Sequence, residues 1–252
     1  MDLGIEGRTA LVLGASKGIG RGIATALAAE GARVAAASRS EENLAELITE
    51  LGEDRAMAFA ADTDDLERMG ALPAEVEREL GPVEILVLNT GGPPRGDALD
   101  HGTEEWERAY RSLVLAPRVL AEAVLPGMRE RGWGRIVNVA SSSVREPIPG
   151  LALSNSNRMA AVGLLNTIAR EVGADGVTVN TIATGRFGTE RLAEGYGGSL
   201  AEAERVAREE VPAARLGTPE EFGDLVAFVC SDRAGYLTGT VIPLDGGLTR
   251  SS

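Results

Sequence analysis

Short β-rich apolar runs alternate with helix-length amphipathic segments along all 252 residues, and that alternation constrains the fold more than any other feature. The runs fall at 9–13, 33–37, 57–61, 85–88, 135–139, 177–182 and 241–244. Several are almost continuously apolar, as in Ile85-Leu86-Val87-Leu88 and Ile136-Val137-Asn138-Val139. Such runs suit strands covered on both faces, and so a parallel sheet between two helical layers. The intervening segments predict helices near 18–31, 41–51, 64–79, 103–131, 155–172 and 219–230. Their starts are punctuated: Ser40 before Glu41-Glu42, Thr103 before Glu104-Glu105, and Thr218-Pro219-Glu220-Glu221 as a capping box. No linker, repeat or low-complexity tract divides the chain. The expected fold is therefore α/β: a single doubly wound Rossmann-type domain over 1–252, with a seven-stranded parallel sheet and helices on both faces.

Charge narrows the partners. With 25 basic and 38 acidic residues the net charge is −13, which argues against a nucleic-acid backbone as ligand. The single Cys230 cannot form an internal disulfide, and no apolar run approaches the ~18 residues of a membrane span. The amino-terminal residues lack the basic and apolar regions of a signal peptide. These features predict a soluble, cytoplasmic, globular protein that works away from membranes. Lys17 is the only lysine, beside 24 arginines.

Gly14-Ala15-Ser16-Lys17-Gly18-Ile19-Gly20 runs from the first strand into the first helix. Glycines at that spacing allow a tight turn and close approach of backbone to a pyrophosphate at a helix amino terminus. A carboxylate at the end of the second strand would mark an NAD site, but the stretch there is Ala36-Ala37-Ser38-Arg39-Ser40. Arg39 can pair with a 2′-phosphate and Lys17 can add a second charge, so NADP(H) is expected over NAD(H). Two segments break the alternation, Gly91-Gly92-Pro93-Pro94-Arg95-Gly96 and roughly 184–214. The longer one, Gly-rich with a short acidic helix, is a candidate substrate lid or else a disordered excursion.

These motifs, taken in register, resemble the short-chain dehydrogenase/reductase family over nearly the whole chain. The branch most similar is that of the 3-oxoacyl-acyl-carrier-protein reductases. Leu13 stands before the glycine loop where the family has Thr, and Thr184 stands where it has Pro before Gly185. The resemblance implies cofactor contacts from Gly14, Ser16, Lys17, Gly18, Ile19, Gly20, Asp62, Thr63, Asn89, Gly91, Gly185 and Thr189, with Arg39 as above. It also implies a homotetramer or homodimer, with Leu115, Leu120, Leu164, Leu165 and Ile168 supplying apolar surface to be shared between core and interface.

The family's catalytic tetrad is Asn, Ser, Tyr and Lys. Carried over without gaps from Gly134 to Leu164, Ser141 falls on the Ser, Ser154 on the Tyr and Arg158 on the Lys, and counting seven on from Trp106 puts Leu113 on the Asn. Arg158 can still hold a cofactor ribose or a carboxylate, but it cannot carry a proton at neutral pH. A Ser hydroxyl is far less acidic than a phenol, whose ordinary pKa is about 10. Substitutes for the donor are Tyr110, Tyr196, Arg186 and His101, the last expected at the surface before its helix. Three readings follow: an NADP-dependent carbonyl/alcohol oxidoreductase with an altered proton donor, a non-catalytic NADP-binding protein, or a non-redox enzyme for an anionic substrate.

Overall fold

The computed structural model describes residues 1–251. Seven strands, β1 (Thr9–Leu13), β2 (Arg33–Ser38), β3 (Ala56–Ala60), β4 (Val83–Leu88), β5 (Gly134–Val139), β6 (Val177–Thr184) and β7 (Val241–Leu244), pair in parallel in the order β3-β2-β1-β4-β5-β6-β7. The helices are α1 (Gly18–Ala29), α2 (Glu41–Leu51), α3 (Leu66–Leu80), α4 (Thr103–Tyr110), α5 (Ala116–Arg131), α6 (Ala152–Val172), α7 (Glu190–Glu194), α8 (Leu200–Glu210) and α9 (Pro219–Val229). This is the expected Rossmann-type domain, with every expected strand within two residues of its place.

Alternate residues of one strand supply opposite cores. In β1, Ala10 and Val12 pack with Ile23 and Leu27 of α1, Leu44 of α2 and Phe222 of α9. Leu11 and Leu13 pack on the other face with Met69 of α3, Leu120 of α5 and Leu165 of α6. Two helical layers therefore cover the sheet, which is why its strands read as nearly unbroken apolar runs. Small residues bring α1 and α9 together. A Cβ at Gly22 would overlap the Pro219 carbonyl oxygen, and one at Gly223 would overlap that of Gly22.

Two local readings need correction, and one left open is decided. The segment expected as one helix over 103–131 is α4 and α5 joined by a π-helical turn at Arg111–Leu115. Pro117, in the first turn of α5, has no N–H to give the Leu113 carbonyl, so regular i→i−4 bonding cannot run through this point. The start of α4 is capped one residue early: the Glu105 carboxylate accepts from Gly102 N–H at 3.0 Å, and Thr103 is the first helical residue. Leu120 and Leu165 belong to the core at 0% and 1% exposure, while Leu115, Leu164 and Ile168 stay half-buried. No helix among the described residues is long and apolar enough to cross a membrane, and none of their His, Cys, Asp or Glu side chains cluster as a metal site.

Candidate active site

The strand order reverses beside β1, between β2 on one side and β4 on the other, which opens a crevice at the carboxyl ends of the strands. Apart from Arg158, which lies within α6, the residues expected to meet the cofactor follow the strands at these ends. Gly14, Ser16, Lys17, Gly18, Ile19 and Gly20 connect β1 to α1, and Arg39 follows β2. Asp62 and Thr63 follow β3, Asn89 and Gly91 follow β4, Gly185 follows β6, and Thr189 caps α7.

The glycines of the first loop are there for room. A Cβ on Gly20 would overlap the Gly14 carbonyl oxygen, and one on Gly14 would come within 2.8 Å of both the Asn89 side-chain nitrogen and its carbonyl oxygen. Gly14 and Gly18 adopt φ of +61° and +56°, where an L side chain is strained. Asn89 Nδ2 donates to the Gly14 carbonyl at 3.5 Å, tying the loop to the end of β4. The helix that follows starts uncapped: Lys17 is its N-cap and its side chain makes no capping bond, whereas Ser40, Asp65 and Thr218 cap α2, α3 and α9. A narrow glycine turn leading to free N–H groups and a positive helix end fits a pyrophosphate. Beyond β2, Arg39 is exposed and makes no ion pair among the described residues. Lys17 Nζ lies 2.5 Å from Glu190 of α7, an exposed pair that a ligand can displace at a cost of about 0–1 kcal/mol.

Across the crevice Arg158 organises the second half of the site. One turn after Ser154 on α6, its Nε donates to Ser154 Oγ at 3.2 Å. Its Nη1 donates to the Val139 carbonyl of β5 at 2.8 Å, and its Nη2 to the Gly91 carbonyl after β4 at 3.2 Å. One guanidinium fork thus joins α6, β5 and the loop after β4. Burial, with the charge of Arg191 beside it, pushes this guanidinium down to about 10, so it remains charged at neutral pH. Ser154 is buried, and Ser141, two residues beyond Val139, accepts from Ser143 N–H at 3.1 Å.

A family profile described as enoyl-(acyl carrier protein) reductase matches residues 14–249. The 3-oxoacyl-[acyl-carrier-protein] reductase of Vibrio cholerae is 35% identical over 247 residues, covering 98% of this chain and 99% of that protein. Human dehydrogenase/reductase SDR family member 4 is 32% identical, covering 96% of this chain and 88% of that protein. The chain belongs to the short-chain dehydrogenase/reductase family. Among solved structures, L-sorbose reductase from Gluconobacter frateurii, complexed with NADPH and L-sorbose, superposes with a TM-score of 0.92 at 32% identity, each chain covered in full.

Set beside that family, the structure separates the tetrad positions by environment. Ser141, Ser154 and Arg158 lie around the carboxyl end of β5. Leu113, in the π-helical turn, is 2% exposed and packs with Ala161 and Leu164 of α6. Of the alternative donors, Tyr110 is exposed and Tyr196 is half-buried between α7 and α8. His101 is not at the surface as expected. Its imidazole is 5% exposed because Gly96 has no Cβ to oppose it, and Nε2 is buried without a partner. Nδ1 lies 3.2 Å from Glu105. Sequence reasoning missed Arg95 and Arg191, which flank the same mouth. Arg191 Nη2 donates to the Pro93 carbonyl at 3.0 Å. A signal was present: arginines set into the two segments that break the strand-helix alternation.

Proposed function

We propose that this short-chain dehydrogenase/reductase is an NADP(H)-dependent oxidoreductase that interconverts a carbonyl and an alcohol on a small molecule, with a proton donor other than a phenol. The observation that carries the reading is the glycine cradle before the uncapped α1, with Arg39 beyond β2 where an NAD site would present an acid. The NADPH held by L-sorbose reductase supports it. When bound, the cofactor supplies hydride to the carbonyl carbon. Gly14, Gly18, Gly20 and the first N–H groups of α1 hold the pyrophosphate, Arg39 meets the 2′-phosphate, and Asn89 keeps the loop in place.

The protein's own task is then to place the carbonyl oxygen and deliver one proton. Ser141 and Ser154 supply the hydroxyl groups. Arg158 polarises Ser154 by donating to its Oγ, which favours donation of the hydroxyl proton into the crevice. The proton lost is replaced from water, since neither Ser154 nor Arg158 holds a reserve at neutral pH. Ser141, Ser154, Arg158 and Leu113 thus make a degenerate tetrad, and the turnover expected is slow: losing the phenol costs roughly 10²–10⁴-fold. Leu113, sealed in an apolar cluster, favours a second reading in which the protein binds NADPH for a regulatory, sensing or assembly role without turnover.

The substrate is free rather than carried on an acidic protein. The net charge of −13 opposes the docking of an acidic carrier, and Arg129 on α5 is already paired with Asp175 at 2.6 Å. Residues 184–214 act as the lid. Its base is fixed where Phe187 meets Phe222 edge-on at 5.2 Å, and Gly197 and Gly198, both at positive φ, provide a hinge between α7 and α8.

The test is a fluorescence titration with NADPH and NADH, followed by a carbonyl screen. Preferential binding of NADPH that Arg39→Asp abolishes, with turnover in the screen, is the expected result. Binding without turnover would select the second reading, and failure to bind either nucleotide would end both.

A further inference from the structure

Three guanidinium groups gather on the five residues from Gly91 to Arg95. Arg158 donates to the Gly91 carbonyl from below, Arg191 donates to the Pro93 carbonyl from α7, and Arg95 belongs to the loop itself. The contacts run both ways across the crevice mouth. A Cβ at Gly92 would lie 2.7 Å from Arg191 Nη2, and one at Gly195, just past α7, would overlap Arg95 Nη2. A fourth arginine, Arg186, sits at the base of the same segment, where its Nη1 is buried without a hydrogen-bond partner.

The charge gathered there is not balanced by the protein. Carbonyl oxygens bind guanidinium groups without neutralising them, and among the described residues Arg158 and Arg95 make no ion pair. Arg191 has only Glu194, three residues away and exposed, a pair of small strength. Arg186 has Glu210 on α8. Four positive charges therefore face two negative ones. In a chain with 38 acidic side chains, that excess of cations at one opening needs a mobile anion to complete it. The fork of an arginine matches a carboxylate in two parallel hydrogen bonds, and the neighbouring hydroxyls of Ser141 and Ser154 are the expected site for a carbonyl oxygen.

We propose that the mouth formed by Arg95, Arg158 and Arg191 is a carboxylate subsite, and that the preferred substrates are small oxo acids whose carboxylate anchors there while the carbonyl reaches Ser141 and Ser154. This rests on the oxidoreductase reading above and adds the substrate class to it. The carboxylate is bound and left unchanged.

The test uses acetoacetate, 4-oxopentanoate and 5-oxohexanoate, each beside its methyl ester, because the pairs differ in charge and little in shape. Calorimetric binding is measured with and without NADPH, and kcat/KM where turnover occurs, for the native protein and for Arg191→Gln, Arg95→Gln and Arg55→Gln. At one chain length or more the acid should bind at least 10-fold tighter than its ester. Arg191→Gln and Arg95→Gln should each cut that ratio by at least 5-fold, and Arg55→Gln, on the exposed turn before β3, should keep it. Equal binding of acid and ester at every length, no binding of any acid, or a ratio that survives both mouth variants would overturn the subsite. The same outcome follows if the mouth variants weaken NADPH and leave the ratio alone. Failure of NADPH to bind would remove the oxidoreductase reading, and the cofactor-free binding ratios would still decide whether the carboxylate subsite exists.

Discussion

At the scale of single residues, Arg158 is the pivotal side chain. A lysine there would offer one point charge, whereas the fork reaches Ser154, Val139 and Gly91 together. We expect Arg158→Met to leave the fork's carbonyl partners unsatisfied, lowering stability by about 1–3 kcal/mol, a loss that urea titration will measure. Ser154→Ala should lower kcat by about 10-fold or more without changing the NADPH dissociation constant; an unaltered kcat would remove Ser154 from the proton path. If Ser154 and Arg158 fill the roles we propose for them, kcat/KM should show no sigmoidal step between about pH 7 and 9. A step in that range would overturn those roles. Burial pushes the Cys230 thiol up to about 12, so it should resist disulfide-exchange reagents in the native protein and react on unfolding. Because its folded pKa lies above the unfolded one, the stability it adds is complete below about pH 8.5 and declines above it. The identities of these residues were legible in the sequence, but their partners were not. Nothing in the order of residues announces that Arg158 grips two backbone carbonyls, or that Gly96 makes room for the His101 ring.

At the scale of elements, the strands were the easiest to read, because burial on both faces leaves long apolar runs that few other structures need. The helix boundaries set by side-chain caps were also plain, with Thr218 and Glu221 forming the reciprocal box expected of them. The π-helical turn at Arg111–Leu115 was hidden, since one irregular turn barely alters the apolar periodicity of 103–131. Residues 184–214 stand out in the sequence as a departure from the pattern, though the two helices found there, α7 and α8, read as a single acidic one. The contact between α1 and α9 gives a test at this scale. Gly22→Ala places a methyl against the Pro219 backbone, which cannot yield as a flexible side chain would. Such overpacking costs about 1–3 kcal/mol, and differential scanning calorimetry should record a fall of several degrees in Tm. An unchanged Tm would mean that the two helices move apart without loss.

At the scale of the whole molecule, the crevice is assembled from the carboxyl ends of six strands, β1 to β6, so cofactor binding and folding are one linked equilibrium. NADPH at 100 times its dissociation constant should stabilise the native state by about 2.7 kcal/mol, and NADH at the same concentration by measurably less. A thermal-shift series in both nucleotides checks this, and equal shifts would contradict the role given to Arg39. Leu115, Leu164 and Ile168, left half-buried on α6 and beside α5, are the surface through which we propose that copies of the chain associate. Light scattering should find a dimer or tetramer, and Ile168→Asp should shift it toward monomer.

The meeting of α1 with α9 also has a consequence in time. Gly22 is made early and Pro219 near the end, so at elongation rates of 5–20 residues per second the face of α1 that receives α9 waits roughly 10–40 s for its cover. During synthesis that small-residue face is open to other chains and to chaperones. The nascent protein is therefore most vulnerable at that face in the interval before α9 leaves the ribosome.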